Sequence, residues 1–119
     1  MPKVLQVSFL LIALAIASLA FAHARLRSST PADNSRLTDP PTTLTLVFNE
    51  EVQLAILKLT LGTTEIPIRI DSKSKAAASV TVALPLLEPG NYQVRWSALS
   101  SNDGHIMKGQ LGFSVLAHR

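Results

Sequence analysis

The chain has 119 residues, of which 47% are hydrophobic, a net charge of +3 and no cysteine. This length suits one small domain, and the lack of cysteine excludes disulfides, thiolate zinc sites, iron–sulfur clusters and copper sites that need a cysteine ligand. The basic residues are scattered along the chain, so no nucleic-acid partner is predicted.

The first 22 residues have the pattern of a secretory signal peptide. Lys3 supplies a positive start, an uncharged apolar run follows, and Ala20 and Ala22 occupy the small-residue positions of a cleavage site. Cleavage before His23 would leave residues 23–119 as the processed domain, with a charge of +2 because Lys3 is lost. The alternative is an uncleaved anchor, since about 20 apolar residues span a bilayer. We favour cleavage and predict a periplasmic domain that is not inserted in the membrane.

After residue 22 the hydrophobic residues recur with a period of two, in short runs broken by Pro, Gly, Asn, Asp and Ser. The pattern predicts an all-β domain with seven strands, at Arg25–Ser29, Thr43–Phe48, Leu54–Leu61, Glu65–Ile70, Ser79–Leu84, Tyr92–Ser97 and Lys108–Leu116. Residues 29–42 and 71–77 are predicted to be surface loops. Seven short strands of this kind predict a sandwich.

The alternation also predicts which side chains form the core. Four inward-facing sets are expected: Leu44, Leu46 and Phe48; Ile66, Ile68 and Ile70; Tyr92, Val94 and Trp96; Leu111, Phe113 and Val115. Pro67 cannot donate a ladder hydrogen bond, so its strand is predicted to lie at a sheet edge.

His23 would become the N-terminal residue after cleavage. Its free amine and its Nδ1 could then hold one metal ion in a six-membered chelate ring, and the amine pKa of about 7.7–8.0 allows a metal to displace the proton near neutral pH. Nitrogen donors of this kind suit Cu(II).

A second cluster, Ser101-Asn102-Asp103-Gly104-His105, follows the predicted strand that contains Trp96. In an extended chain Asp103 and His105 point the same way. Gly104 between them tolerates the dihedral angles of a tight turn. The carboxylate could bind a metal or orient the His105 ring.

Glu50 is the third candidate because it continues the inward parity of Phe48 at a strand end. An unpaired carboxylate there is costly, so it should either turn to solvent or be paired. Each of these residues also has an ordinary interpretation. An isolated histidine in a β-domain is usually a surface residue, as predicted for His118, and Asp-Gly is usually a turn.

Several motifs resemble the CopC family of periplasmic copper-binding proteins. They are the start His23-Ala-Arg-Leu-Arg-Ser-Ser-Thr-Pro-Ala-Asp, the strand Leu46-Val47-Phe48-Asn49-Glu50, the strand Gly90-Asn91-Tyr92-Gln93-Val94-Arg95-Trp96, the loop Ser101-Asn102-Asp103-Gly104-His105 and the closing strand Lys108-Gly109-Gln110-Leu111-Gly112-Phe113-Ser114-Val115. The resemblance covers essentially all of residues 23–116.

The resemblance implies a cupredoxin-like, immunoglobulin-like Greek-key sandwich or barrel. It also implies a site for one Cu(II) per chain, with ligands from His23 and His105 and with Asp103 or Glu50 completing or supporting the coordination. The implied role is a monomeric copper carrier or sequestering protein in copper resistance and homeostasis, with a CopD-like inner-membrane partner. Some relatives carry a methionine-rich Cu(I) site, but residues 51–80 contain no methionine here, so Cu(II) alone is expected.

Two other functions fit part of this pattern. An N-terminal histidine with a second histidine also forms the copper brace of polysaccharide monooxygenases, yet the aromatic residues Phe48, Trp96 and Phe113 fall on predicted core faces and leave no stacking platform for sugars. A metal-free, immunoglobulin-like interaction module would make His23 incidental. The carrier, which is not an enzyme, is the preferred interpretation.

Overall fold

The structure is a computed structural model that describes residues 25–71 and 74–118, and these contain strands but no helix. The seven strands are β1 (Leu26–Thr30), β2 (Ser35–Leu37), β3 (Thr43–Leu61), β4 (Thr64–Ile66), β5 (Ala77–Ala83), β6 (Gly90–Ser100) and β7 (Ile106–Val115). Within those residues no helix is long and apolar enough to cross a membrane. The predicted all-β class is confirmed.

The strands form one curled, mixed sheet in the order β1-β3-β6-β7-β2, with β4 and β5 also paired to β3. Only β2 and β7 run parallel, and every other pair is antiparallel. This arrangement fits the predicted Greek-key sandwich or barrel, because β3 leaves one set of neighbours and joins another as the sheet curls.

β3 has 19 residues and replaces two separately predicted strands. The prediction of a break after Phe48 is wrong because the polar residues there still have backbone partners. Asn49 pairs with Arg25, and Val52 pairs with Ser100 of β6 and with Ala77 of β5. Backbone pairing therefore carries the strand through a segment in which the apolar alternation fails.

Two other segments differ from the predicted elements. The predicted loop of residues 29–42 contains β2, which is three residues long and too short to show a period. The predicted strand Glu65–Ile70 ends at Ile66, because Pro67 has no N–H to extend the ladder. β4 pairs only with β3, so the predicted edge position is confirmed.

The core lies inside the curl of the sheet. Nine predicted core side chains are at most 6% exposed: Leu44, Leu46 and Phe48 of β3, Tyr92, Val94 and Trp96 of β6, and Leu111, Phe113 and Val115 of β7. The three isoleucines Ile66, Ile68 and Ile70 are half-buried and pack against that cluster. Two aromatic pairs span it, Phe48 edge-on to Trp96 at 5.2 Å and Tyr92 stacked on Phe113 at 5.3 Å.

Candidate metal centre

Glu50 lies in the middle of β3, where the strand passes between its two sets of neighbours. It follows the inward parity of the buried residues Phe48 and Val52 but is itself half-buried. Ser100 Oγ donates a short hydrogen bond to its Oε1, and Asn102 Nδ2 lies 3.5 Å from its Oε2. Of the two outcomes predicted for this carboxylate, the structure shows the paired one.

Residues 101–105 form the hairpin loop between β6 and β7. Gly104 N donates to Ser100 O at 2.9 Å, and Ser100 N donates to His105 O at 2.9 Å. Gly104 has φ of +72°, in the left-handed region where a side chain would be strained. Ser101 N donates to Glu51 O at 3.2 Å, so the hairpin loop is fastened to β3 beside Glu50.

Asp103 holds both the ring and the backbone of His105. Its Oδ2 lies 3.1 Å from His105 Nδ1, and its Oδ1 accepts a hydrogen bond of 3.1 Å from His105 N. Both side chains are exposed, at 44% and 67%. Because this contact uses Nδ1, a metal bound in addition to it would take Nε2, the arrangement in which a carboxylate orients a ligating histidine.

The pKa of Asp103 lies below the usual aspartate value. The main cause is the backbone hydrogen bond from His105, and the side chain of His105 acts in the same direction. A lowered carboxylate pKa stabilises the folded loop at pH values above the unfolded pKa, and this stabilisation is lost as the pH falls through the lowered value. The ionised form that could orient or bind a metal is therefore the form present at neutral pH.

The described chain begins at Arg25, beside Glu50. Arg25 N donates to Asn49 Oδ1 at 2.7 Å, and Asn49 N donates to Arg25 O at 3.1 Å. His23 lies outside the described residues. The N-terminal segment is therefore fixed next to Glu50 from Arg25 onward.

The structure places Glu50 and the Asp103–His105 pair at the same end of the sheet, because Ser100 contacts Glu50 and the hairpin loop that follows Ser100 carries Asp103 and His105. Among residues 25–71 and 74–118 there is no group of three or more histidine or acidic side chains that could hold a metal ion alone. His118 is separate from this group, since its Nε2 lies 3.8 Å from Asp39 and its side chain is exposed.

Ser100 and Asn102 were not predicted as site residues. Ser100 is 2% exposed and follows Ala98 on the inward face of β6. The predicted strand ends at Ser97, whereas β6 continues to Ser100, so this hydroxyl was not predicted to be a buried group that needs a partner. The partner could not be predicted, since Glu50 is fifty residues away.

Comparisons with known proteins identify the family of the chain. The CopC domain model matches residues 26–116. The chain belongs to the CopC family. The copper resistance protein C of Xanthomonas campestris pv. juglandis is 33% identical over 107 residues, covering 81% of this chain and 82% of that protein. Protein YobA of Escherichia coli K12 is 35% identical over 100 residues, covering 80% of each.

Solved structures of CopC proteins share the fold. The crystal structure of CopC from Methylosinus trichosporium OB3b has a TM-score of 0.69 and 25% identity, covering 82% of this chain and 97% of that one. PcoC, a methionine-rich copper resistance protein from Escherichia coli, has a TM-score of 0.63 and 28% identity, covering 79% and 99%. The predicted family and its Greek-key architecture are confirmed.

The contact between Ser100 and Glu50 gives a test of how this end of the sheet is held. We expect Ser100→Ala to lower the free energy of unfolding by about 1–2 kcal/mol, because the half-buried carboxylate loses its hydroxyl donor. The measurement is urea unfolding followed by the fluorescence of Trp96. Ser101→Ala is the matched control: it removes an exposed hydroxyl that donates to Glu51 O at 3.0 Å, and we expect a loss below about 0.5 kcal/mol. Equal losses in the two variants would contradict a special role for Ser100.

Proposed function

We propose that this CopC-family chain is a periplasmic Cu(II)-binding protein that carries or sequesters one copper ion and contributes to copper resistance and homeostasis. The observation that carries the proposal is the Asp103–His105 pair, held beside Glu50 at the end of the sheet where the N-terminal segment enters. Membership of a family that includes copper resistance proteins supports it.

The ring of His105 is well prepared to donate to a metal. Asp103 Oδ2 faces Nδ1, which favours the neutral tautomer with its proton on Nδ1 and the lone pair on Nε2. The ring is 67% exposed, so a metal ion could approach it without rearrangement of the core. These contacts favour an orienting role for Asp103, while Glu50 remains available to complete or support the coordination.

The second half of the proposed site comes from His23. It precedes Arg25 by two residues, and two residues of extended chain reach at most about 7 Å. Arg25 is hydrogen-bonded to Asn49, the neighbour of Glu50, so the length of the chain would allow His23 to reach this end of the sheet. If the signal peptide is removed after Ala22, the amine and ring of His23 form one chelate, and with His105 they supply the nitrogen donors that suit Cu(II).

The aromatic side chains support a binding protein over an oxidative enzyme acting on polysaccharides. Phe48, Trp96 and Phe113 are 1%, 6% and 3% exposed, and all belong to the core. A sugar chain would therefore find none of these rings on the surface to stack on. We propose that the protein acts as a monomer and hands copper to a CopD-like protein of the inner membrane.

The third histidine of the chain, His118, serves as a control for substitutions of the two proposed histidine ligands. We expect His23→Ala and His105→Ala each to abolish the type 2 electron paramagnetic resonance spectrum of protein loaded with one equivalent of Cu(II), because each removes a nitrogen ligand. His118→Ala should leave the spectrum unchanged, since that ring contacts Asp39 instead of the hairpin loop. Tight and unchanged Cu(II) binding in both of the first two variants would refute the site.

Processing and copper binding should depend on each other. We expect the intact mass of the exported protein to correspond to a chain that begins at His23, because cleavage after Ala22 creates the amine ligand. Insertion of one glycine between Ala22 and His23 should weaken Cu(II) binding about as much as His23→Ala, since the amine then lies on another residue. An exported protein that retains Met1 would contradict this part of the proposal.

The oxidation state can be tested separately. The chain has two methionines, Met1 and Met107, and Met107 packs half-buried against the core. Thioether ligands select Cu(I), so we expect no tight cuprous binding when the protein competes with a chromophoric Cu(I) chelator. Tight binding of one Cu(I) per chain would show that the protein is not restricted to Cu(II).

A further inference from the structure

The outward face of β3, β6 and β7 carries an open groove that the copper site does not use. Its volume is about 440 Å³, and the residues with outward side chains that line it are Ile56, Lys58, Arg95, Ser97, Lys108 and Gln110, here called the basic groove. The strand register places them in two rows, Ile56–Ser97–Lys108 and Lys58–Arg95–Gln110. The small Ser97 between two longer side chains makes the surface concave.

The basic groove has an unbalanced positive charge. Lys58 and Arg95 lie directly opposite each other on neighbouring strands, and Lys108 is on the adjacent row. Like charges in opposite positions destabilise a sheet. Within the described part of the chain, no ion pair joins any of these three cations to a carboxylate. An anionic partner would relieve this repulsion.

Apolar side chains extend the same face toward the copper site. Of the four large hydrophobic residues that are exposed in the described chain, three lie on this face: Ile56 at 49%, Leu99 at 39% and Ile106 at 66%. Leu99 and Ile106 pair across β6 and β7, and His105 immediately precedes Ile106. The surface therefore continues from the basic groove to the hairpin loop that carries Asp103 and His105.

We propose that this face docks an extended, acidic segment of a protein partner, with carboxylate side chains in the basic groove and apolar side chains against Leu99 and Ile106. Concavity favours a peptide over a bilayer, because a single side chain can enter the space between Ile56 and Lys108 but the surface of a membrane cannot. The docking does not require copper. Its use in copper transfer rests on the proposed function, since it would place the partner beside His105.

The test uses the copper-free protein and a short synthetic peptide in which glutamates flank a leucine, with the glutamine version of the peptide as its control. Binding is measured by the fluorescence anisotropy of a dye-labelled peptide, because the ring of Trp96, the only tryptophan of the chain, is buried in the core and does not face the groove. We expect the glutamate peptide to bind and the glutamine peptide not to bind. We also expect binding to weaken with added salt, because the Debye length falls from about 10 Å at 0.1 M to about 3 Å at 1 M.

Matched variants distinguish an effect of the basic groove on peptide binding from an effect of the net charge of the protein. Lys58→Gln, Arg95→Gln and Lys108→Gln together should weaken binding about tenfold, equivalent to about 1.4 kcal/mol. The control triple Arg27→Gln, Arg36→Gln and Lys75→Gln removes the same charge from exposed positions elsewhere and should change the affinity less than about twofold. The double variant Lys58→Arg and Lys108→Arg keeps the charge and should bind normally. Equal losses in the two triple variants would overturn the proposal.

Two further measurements distinguish a peptide partner from a membrane, and the docking surface from the proposed copper site. Groove-dependent binding to phosphatidylglycerol vesicles, without binding of the glutamate peptide, would overturn the peptide docking in favour of a membrane. His105→Ala should lose copper and keep peptide binding, which supports docking as a separate property. If His105→Ala lost peptide binding together with copper, an independent docking surface would be refuted, whereas retained copper in that variant would count against the proposed function alone.

Discussion

β3 changes its neighbours between Asn49 and Val52, and the two halves of the sheet are joined there by one continuous strand. Before this point β3 pairs with β1 and β5, and after it the strand pairs with β6 and β4. Because both halves share a strand, the inward side chains of the two halves pack together in one core. Glu50 lies at this point, and the hairpin loop with Asp103 and His105 is hydrogen-bonded to it through Asn102 and to its neighbour Glu51 through Ser101.

A small polar network holds this meeting point. Ser100 is buried and its hydroxyl faces Glu50, while the hairpin loop that follows is fastened to β3 by Ser101. A buried hydroxyl and a half-buried carboxylate are each costly alone, and each satisfies the other. The exposed Asp103–His105 pair is carried by that hairpin loop. The proposed site thus combines a hydrogen-bonded base with a histidine ring that is exposed to solvent.

Acidic and basic side chains lie on different surfaces of the sheet. The carboxylates of Glu50 and Asp103 are near the proposed copper site, whereas Lys58, Arg95 and Lys108 form the basic groove on the outward face of the same sheet. The two regions meet at Ile106, next to His105. Separate substitutions can therefore test the proposed copper site and the proposed docking surface, although the two surfaces adjoin each other.

The all-β class, nine of the core side chains and the candidates His23, Glu50, Asp103 and His105 follow from the sequence, because alternation with a period of two and the spacing of polar residues are local properties of the chain. Two features could be seen only in the folded chain: β3 is unbroken, and Ser100 faces Glu50. Both depend on register between distant strands, including the shift between Leu54 and Ile56 in the pairing of β3 with β6. A local pattern carries no information about such long-range pairing. The partner of a buried polar group depends on which distant strand the tertiary structure places beside it.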